Sequence, residues 1–451
     1  MLKKLHLAVL CSVLLFAACK NDESLDPEST DFDTELENAL RDISPNNTLA
    51  FFKMPASDDF SEIPQDPRNP LTVEKVALGK LLYHETGLAI NPMKEIGKGE
   101  YSCASCHFAS AGFQAGRFQG IAEGGIGFGI NGEGRVKGSL YPGEMIDVQP
   151  IRTPSAMNGA YQELQLWNGQ FGGTGQNLLY EDQWTEETPI ETNNLGYEGL
   201  EIQAIAGLKV HRLGLEMEFL ESTGYKAMFD EVFADVPVEN RYTNEFAGLA
   251  IAAYERTMLA NQAPFQKWLQ GSQNAMSELE KQGAVLFFKD AACGNCHTGP
   301  ALNSMEFHAY GMPDLYTCGE EIFQANADSG ANLGRGSFTK LDEDMYKFKV
   351  PQLYNLADSP FYGHGSNFTN IKDVVDYKNS GQSLNVAVPQ EQLAEDFKPL
   401  NLTDGDVLAI AAFLEKSLRD PNLERYVPDN LLSGNCFPNA DPLSANQLGC
   451  E

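Results

Sequence analysis

Two five-residue segments of this sequence carry the residue types that can hold an iron porphyrin. Cys103-Ala104-Ser105-Cys106-His107 and Cys293-Gly294-Asn295-Cys296-His297 share the pattern Cys-x-x-Cys-His. Two thiols three positions apart can form thioethers with the two vinyl groups of one porphyrin, while the adjacent imidazole ligates the iron. The sequence therefore predicts two covalently attached c-type haems, with His107 and His297 as the proximal ligands.

A structural zinc site built from two Cys-x-x-Cys pairs is the competing interpretation. Zinc ribbons place such pairs about 15–20 residues apart. Here the pairs begin at Cys103 and Cys293, and a histidine follows each of them. The long separation and the two trailing histidines favour haem over zinc or disulfides.

A short helix is predicted directly before each motif. Over residues 72–83 one face carries the apolar residues Val73, Val76, Ala77 and Leu81 at helical spacing. Ser277-Glu278-Leu279-Glu280 is a capping box, and it opens a helix that runs to Phe288. Because the order of helix and motif occurs twice, we expect two related haem domains, at 45–265 and 266–420.

The remaining pattern favours a mainly α-helical fold with few strands. Helical spacing predicts further helices over 197–220, 245–259 and 403–418. Glycine-rich residues 112–143 and residues 299–340 are predicted loops, and long ordered loops are usually functional. We therefore expect two mainly α-helical haem domains with long loops and few strands.

The first residues have the pattern of a bacterial lipoprotein signal peptide. Lys3 and Lys4 precede an apolar run over 7–16, and Ala17-Ala18-Cys19 follows it. Cleavage after residue 18 would put a lipid on Cys19 as the only membrane attachment; an ordinary cleaved signal is the alternative. This predicts a place in the bacterial cell envelope, either periplasmic or anchored to the outer membrane.

The sequence is strongly acidic, with 63 Asp and Glu against 32 Lys and Arg. Such a surface argues against binding nucleic acid, which needs a basic footprint. It favours a basic protein partner or a small uncharged substrate. Residues 19–44 are acidic and poor in aromatic residues, which predicts a flexible tether.

The last residues, 421–451, read as an irregular C-terminal tail. Cys436 and Cys450 could close a disulfide loop there, which agrees with an oxidising compartment. Cys318 is then left without a predicted role.

A longer series of segments surrounds the two motifs. It comprises Asn69-Pro70, Leu78 to Tyr83, Ser102 to Phe113, Arg152 to Asn158, Trp167 to Gly169, Leu200 to Ala204, Cys293 to His297, Phe348 to Asn355, Pro360 to Ser366 and Leu402 to Leu414. In this order the series resembles the bacterial di-haem cytochrome c peroxidases. It also resembles their relative, the di-haem enzyme that matures the tryptophan tryptophylquinone cofactor of methylamine dehydrogenase.

The resemblance implies a fold, a reaction and several partners. The fold is two α-helical cytochrome c-like domains with a calcium site between them. The substrate is hydrogen peroxide, and the electron donor is a small c-type cytochrome or cupredoxin. A homodimer is also implied, since the family often forms one.

The resemblance also gives roles to residues between the two motifs. Trp167 matches a tryptophan that carries electrons between the haems, although a buried core aromatic is equally compatible with its type. Asn158 matches the residue that gives calcium a side-chain oxygen, and Lys349 and Pro351 would add backbone carbonyls. Hard oxygen donors of this kind suit calcium.

Gln203 and Glu216 match the two residues that lie over the peroxidatic haem in the family. Cleavage of the O–O bond needs a group that moves a proton from one oxygen to the other, and Glu216 is the predicted carrier. The two residues are 13 positions apart, which is longer than in the family, and His211 lies between them. His211 is therefore the rival base or a ligand, and Glu216 could be a surface carboxylate.

Two departures from the family affect the predicted iron ligands. The well-studied peroxidases cap the first iron with a second histidine until reduction removes it, but no histidine occurs between His107 and His211. We therefore expect the first haem to be open without reductive activation. On the second haem the usual axial methionine is replaced by Tyr377, with Met305 and Met312 as fallback ligands and a core tyrosine as the alternative.

The leading hypothesis is a peroxidase that reduces hydrogen peroxide at the N-terminal haem with electrons delivered through the C-terminal haem. An oxidase that uses peroxide to modify a partner protein is the first alternative. The second is a non-enzymatic electron-transfer cytochrome, which would need both irons capped.

Overall fold

Helices form nearly all of the regular structure in the computed structural model, which describes residues 31–450. The α-helices are α1 Phe32–Ile43, α2 Val73–His84, α3 Gly199–Val210, α4 Met217–Thr223, α5 Tyr225–Val232, α6 Val238–Arg241, α7 Asn244–Arg256, α8 Pro264–Leu269, α9 Glu278–Phe288, α10 Gly336–Thr339, α11 Ile371–Ser380, α12 Asp404–Ala412 and α13 Pro442–Leu448. A π-helical turn, Phe413–Ser417, continues α12. The predicted mainly α-helical fold is confirmed.

The strands of the described residues form two small antiparallel hairpins. In the first, β1 (Gly125–Ile126) pairs with β2 (Val136–Lys137) inside the predicted loop 112–143. In the second, β3 (Phe307–His308) pairs with β4 (Phe348–Lys349). Most of the remaining chain consists of 3₁₀ turns and irregular segments.

The predicted start of α2 is confirmed, but its buried face differs from the predicted one. The Thr72 side chain accepts a hydrogen bond from the Lys75 amide and so caps the helix. Val73 is 68% exposed, whereas Leu78 and Leu82 are fully buried. The apolar face predicted from Val73, Val76, Ala77 and Leu81 is therefore partly exposed to solvent.

A glycine sets the face that each pre-motif helix buries. A Cβ atom at Gly79 of α2 would lie 1.8 Å from the carbonyl oxygen of Ala250 in α7. In the second half, a Cβ atom at Gly283 of α9 would lie 1.9 Å from the carbonyl oxygen of Ala409 in α12. Only glycine permits either crossing, and the repetition supports the expectation of two related halves.

The capping boxes that begin α9 and α12 are both present. Ser277 and Glu280 exchange side-chain and backbone hydrogen bonds at the start of α9. Thr403 and Asp406 do the same at the start of α12. These pairs fix the N-terminal ends of α9, which precedes the second motif, and of α12, which packs against α9.

Residues 32–450 pack as one compact unit. Its main core draws on both halves: Tyr83 and Tyr254 come from the first, and Phe288 and Phe413 from the second. Because this core is continuous, the boundary between the domains at 45–265 and 266–420 stays a prediction.

The predicted tether is wrong over Phe32–Ile43, where the chain forms α1. Leu36 and Leu40 are fully buried against the core, and Asp33 pairs with Lys281 at 2.7 Å. The acidic composition hid this apolar i, i+4 pair. The predicted signal peptide, Cys19 and the start of the tether lie outside the described residues, and none of the described helices is long and apolar enough to cross a membrane.

The C-terminal residues pack against the first half of the chain. The Cys436–Cys450 disulfide is present, as predicted, while Cys318 is free. The hydroxyls of Ser102 and Ser105 donate to the carbonyl of Pro438, at 3.2 and 3.1 Å. The predicted tail therefore supports the turn that holds the first motif, and it ends in α13.

Candidate functional site

The first Cys-x-x-Cys-His motif forms a 3₁₀ turn over Cys103–Ser105 that follows the extended Ser102. Cys103 and Cys106 are both free thiols in this structure. The His107 Nδ1 atom lies 3.2 Å from the carbonyl oxygen of Phe113. Burial lowers the pKa of His107 to about 4, so the ring is neutral at pH 7. Its Nδ1–H donates to this carbonyl, and Nε2 is left as a metal ligand.

The second motif repeats this geometry. It forms a 3₁₀ turn over Cys293–Asn295, and its two cysteines are also free. The His297 Nδ1 atom lies 3.0 Å from the carbonyl oxygen of Leu302. Burial lowers the pKa of His297 to about 4, so this ring too presents a neutral Nε2.

A largely apolar cavity of about 500 Å³ opens beside the second motif. Cys293, Cys296 and His297 line it together with Phe348 and Phe361. A cavity of this size and character is typical of a cofactor site.

Two guanidinium groups, one buried and one partly buried, test whether haem fits this chain. Arg152 lines the cavity and is 1% exposed. Arg117 lies near Cys106, since each side chain affects the pKa of the other. Among the described residues neither arginine forms an ion pair, and the Nε–H of each lacks a hydrogen-bond partner. Haem carries propionate groups that can satisfy such donors, so the residues present fit two haems.

Trp167 lies at the cavity wall between the two halves. Its Nε1–H donates to the carbonyl of Arg152 at 2.7 Å, and its ring meets His364 edge-on at 6.4 Å. The His364 ring stacks on Phe348 at 3.7 Å, and its Nε2 atom is 3.0 Å from Asp314. The proposed role of Trp167 in electron transfer stays a prediction.

The three residues predicted to bind calcium come close to the same cavity. Asn158 is fully buried, and its amide oxygen accepts the Ala260 amide at 2.9 Å. Lys349 and Pro351 both line the cavity. Burial lowers the pKa of Lys349 to about 7, and its amine donates to Gln162. None of the three residues predicted to bind calcium has a carboxylate side chain.

The structure places Glu216 at the surface. Its side chain is 47% exposed and pairs with Lys98 at 3.2 Å. Gln203 lies on α3, which ends at Val210 before Glu216 is reached. This placement does not support Glu216 as the proton carrier in a buried pocket, because an exposed, ion-paired carboxylate is in contact with solvent.

His211, the rival candidate, lies in a charged cluster near the first motif. Its Nδ1 atom is 2.9 Å from the Asp147 carboxylate. Arg212 is within 2.9 Å of Glu123 and 3.3 Å of Asp147. Burial alone would lower the pKa of His211, but Asp147 outweighs it and the pKa is raised.

The charged cluster around His211 is connected through the backbone to the neighbourhood of Cys106. The Asp147 carbonyl accepts the Ala122 amide at 2.9 Å. Two residues earlier, a Cβ atom at Gly120 would lie 3.0 Å from the sulfur of Cys106. His211 also affects the pKa of His107. The pair His211–Asp147 is therefore close to the first predicted haem.

Tyr377 does not have the placement expected of an axial ligand. Its side chain is buried, its hydroxyl donates to the carbonyl of Tyr310, and it does not line the cavity beside His297. Met305 is also engaged, since its sulfur accepts the Leu164 amide at 3.4 Å. Met312 does line the cavity. The assignment of Tyr377 to the iron is not supported by these contacts.

Sequence reasoning missed Glu255, a buried carboxyl group near the first motif. It lies on α7 and is 5% exposed, and its Oε2 atom has no hydrogen-bond partner among the described residues. Burial, helped by the carboxylate of Glu201, raises the pKa of Glu255 to about 8. The sequence around Glu255 reads as an ordinary helix with a buried apolar face, so nothing in it indicated that this carboxyl group is buried and has a raised pKa.

We expect Glu255→Gln to stabilise the protein at alkaline pH. Between pH 4.5 and about 8 the unfolded chain is ionised while the folded carboxyl is protonated. The free energy of unfolding therefore falls as pH rises through this window. At pH 8 we expect the variant to gain on the order of 4 kcal/mol over the wild type. Denaturant unfolding at pH 5 and pH 8 measures this, with the exposed Glu239→Gln as control. An equal effect of Glu255→Gln at both pH values would contradict it.

Comparison with known proteins places the chain among di-haem enzymes. A profile of the di-haem cytochrome c peroxidase family matches residues 73–274. The methylamine utilization protein MauG of Methylorubrum extorquens is 26% identical over 376 residues, which cover 82% of this chain and 84% of that protein.

The cytochrome-c peroxidase IdrP1 of Denitromonas iodatirespirans is 27% identical over 389 residues, covering 82% and 88% of the two chains. Among solved structures, a MauG-like protein associated with microbial copper homeostasis has a TM-score of 0.56 at 21% identity. The match covers 83% of this chain and 98% of that one, and it shows the same fold. The chain is therefore similar over most of its length to di-haem cytochrome c peroxidases and to MauG, and it is an oxidoreductase whose two Cys-x-x-Cys-His motifs fit two c-type haems.

Proposed function

We propose that this enzyme reduces hydrogen peroxide to water at the N-terminal haem, with electrons delivered through the C-terminal haem from a small redox protein. The observation that carries this proposal is the pair His211–Asp147 beside the first motif. No other histidine follows His107 before His211, so nothing in that segment supplies a capping imidazole. These two observations support a first haem that would have a proton-transfer group nearby and would receive no histidine cap from that segment.

Haem iron supplies the redox chemistry when it is bound. The task of the chain is to move a proton from the near oxygen of peroxide to the far one. We assign this step to His211, whose Nδ1–H donates to Asp147 and leaves Nε2 to accept the proton. Asp147 fixes the tautomer and stabilises the imidazolium that forms. Gln203 on α3 stays a proposed polar contact for peroxide.

The proposed electron route passes through Trp167. Its indole lies at the wall of the cavity beside the second motif, and its Nε1–H donates to the backbone carbonyl of Arg152. Arg152 in turn bonds to the carbonyl of Arg117 at 2.7 Å, which leads toward the first motif. The two hydrogen bonds that link Trp167, Arg152 and Arg117, together with the proximity of Arg117 to Cys106, support this assignment.

Stopped-flow absorbance of the diferric protein tests the proposal. The protein is mixed with stoichiometric peroxide and then with a reduced small c-type cytochrome or cupredoxin. We expect a rapid spectral change at one haem, which the donor reverses with repeated turnover. No reaction before one haem is reduced would overturn the expectation of an open first haem.

The same experiment distinguishes the alternative function. Similarity to MauG favours an oxidase that uses peroxide to modify a partner protein. In that case the spectral change would form but the small donor would not reverse it. An absence of any reaction with peroxide, in either redox state, would point to an electron-transfer cytochrome.

We also propose a calcium ion held by the side-chain oxygen of Asn158 and the carbonyls of Lys349 and Pro351. Support comes from the Asn158 oxygen, which accepts one hydrogen bond and has a second lone pair free. Hard oxygen donors suit this ion. Elemental analysis before and after dialysis against a calcium chelator tests it; a metal-free protein as isolated would overturn it.

For its location we propose the bacterial cell envelope, with a lipid on Cys19 after removal of residues 1–18. Acidic composition supports a basic donor protein and no nucleic-acid partner. Labelling with a radioactive fatty acid, with Cys19→Ser as control, tests the anchor. Light scattering of the holoprotein tests the homodimer that the resemblance implies.

A further inference from the structure

We propose that Lys378 is the sixth ligand of the iron in the second haem. Lys378 lies in the last turns of α11, and its side chain lines the cavity that Cys293, Cys296 and His297 also line. The proposal requires only that a haem is attached at the second motif. It does not depend on which reaction the first haem performs.

The amine of Lys378 has no polar partner among residues 31–450. It forms neither a hydrogen bond nor an ion pair there; its Nζ lies 3.0 Å from the ring centroid of Tyr310 and 5.9 Å from that of Phe397. The Tyr310 hydroxyl is already bonded to Asp396 at 2.8 Å. The Tyr310 ring face and the nearby Asp396 carboxylate favour a cation, but burial disfavours it more strongly. A neutral amine offers a nitrogen lone pair.

His297, the predicted proximal ligand of the second haem, lines the cavity from the Cys-x-x-Cys-His motif, whereas Lys378 lines it from α11. His297 directs Nδ1 to the carbonyl of Leu302, so its Nε2 faces away from that carbonyl. The charge of Lys378 acts on Cys293, Cys296 and His297 alike, which places the amine close to all three attachment groups. A haem fixed by these three residues would therefore have Lys378 within reach of its iron.

Other nitrogen and sulfur donors around this cavity are less suited. His308 and His364 are bonded to Glu306 and Asp314 at 3.2 and 3.0 Å. Lys349 donates to Gln162. Met312 is the other possible ligand. Its sulfur packs against Gly363, where an added Cβ atom would lie 3.0 Å from it.

The helix explains why the adjacent Tyr377 is excluded. Successive residues of an α-helix point about 100° apart. Tyr377 points to the Tyr310 carbonyl, and among the residues of α11 that line the cavity, Ile371, Val374, Val375 and Lys378, only Lys378 carries a donor atom. The ligand position is thus one residue later than the sequence comparison placed it.

Electron paramagnetic resonance and absorption spectra of the full-length diferric protein test this proposal. We compare Lys378→Ala and Lys378→Met with Tyr377→Phe and with Lys398→Met, a control lysine that lines the same cavity but is exposed. Haem content is measured for each variant. We expect complete conversion of the second haem from low spin to high spin in Lys378→Ala. In Lys378→Met a low-spin haem with a methionine-to-iron charge-transfer band should return.

We expect wild-type spectra for Tyr377→Phe and Lys398→Met. An unchanged low-spin signal in Lys378→Ala would overturn the proposal, and loss of that signal in Met312→Ala would assign the ligand to Met312. If Lys378→Ala fails to retain haem, the spectrum of Lys378→Met still decides. Because the readout is the spin state, it is independent of peroxide turnover and of the proposed function.

Discussion

Replacement of His211 by asparagine is expected to lower peroxide turnover by about 10²- to 10⁴-fold, the usual contribution of a positioned acid–base group. Asparagine keeps a polar side chain that can bond to Asp147 but cannot carry the proton. Attachment of both haems should be unaffected, because His211 touches neither cysteine pair. Steady-state kcat/KM for peroxide, normalised to haem content, measures the effect.

The exposed carboxylate provides the decisive comparison. Glu216→Gln removes a side chain that is 47% exposed and paired with Lys98, so we expect turnover within about twofold of wild type, as for most surface substitutions. If Glu216→Gln loses activity while His211→Asn retains it, the original assignment from the resemblance is correct and the one made from geometry is wrong.

The pH profile separates a proton carrier from a merely structural histidine. Asp147 holds the pKa of His211 above its ordinary value of 6.5. A base must be neutral to accept a proton, so kcat/KM should rise with pH through this raised pKa. In Asp147→Asn the acid limb should move to lower pH, because the stabilising charge is gone. The remaining charges near His211 are those of Arg212 and of its partner Glu123, and they are unchanged in this variant.

Local signals in the sequence predicted the helices before the motifs well. Thr72 and Ser277 are caps whose side chains bond to their own helices, and such contacts span few residues. The buried face of α2 could not be predicted in the same way. It depends on the contact between Gly79 and Ala250, which are far apart in the sequence.

The candidate site shows the same division between local and distant information. The two Cys-x-x-Cys-His motifs are local patterns. Glu216 and Tyr377, whose contacts do not support their predicted roles, were assigned by matching positions along the chain. After α3 the chain turns at Arg212, which has a φ of 57°. The number of residues between Gln203 and Glu216 therefore does not indicate where Glu216 lies in the fold. At Tyr377 a shift of one residue was sufficient to turn the side chain away.

The second large effect is expected at Arg152. We predict that Arg152→Met lowers the free energy of unfolding of the holoprotein by about 3–5 kcal/mol. The guanidinium donates to the carbonyls of Arg117 and Ala115 and to the hydroxyl of Ser359. Methionine leaves these buried acceptors without a donor. Denaturant unfolding followed by tryptophan fluorescence measures the loss.

Arg335 provides a matched control for this prediction. It is also a buried arginine without an ion pair among the described residues, and it donates to the carbonyls of Asn168 and Gly169. It does not line the cavity. Arg335→Met should therefore lose comparable stability but keep both haems in place.

Comparing the Arg152 variants with and without bound haem shows which group neutralises the charge of Arg152. Burial lowers the pKa of Arg152 to about 9, and among the described residues no carboxylate lies within ion-pair distance. If a haem propionate is the counter-ion, Arg152→Met should destabilise the holoprotein more than the haem-free chain, and Arg152→Lys should restore only part of the difference, because lysine keeps the charge but not the planar fork. Equal losses with and without haem would show that Arg152 acts only through its protein hydrogen bonds.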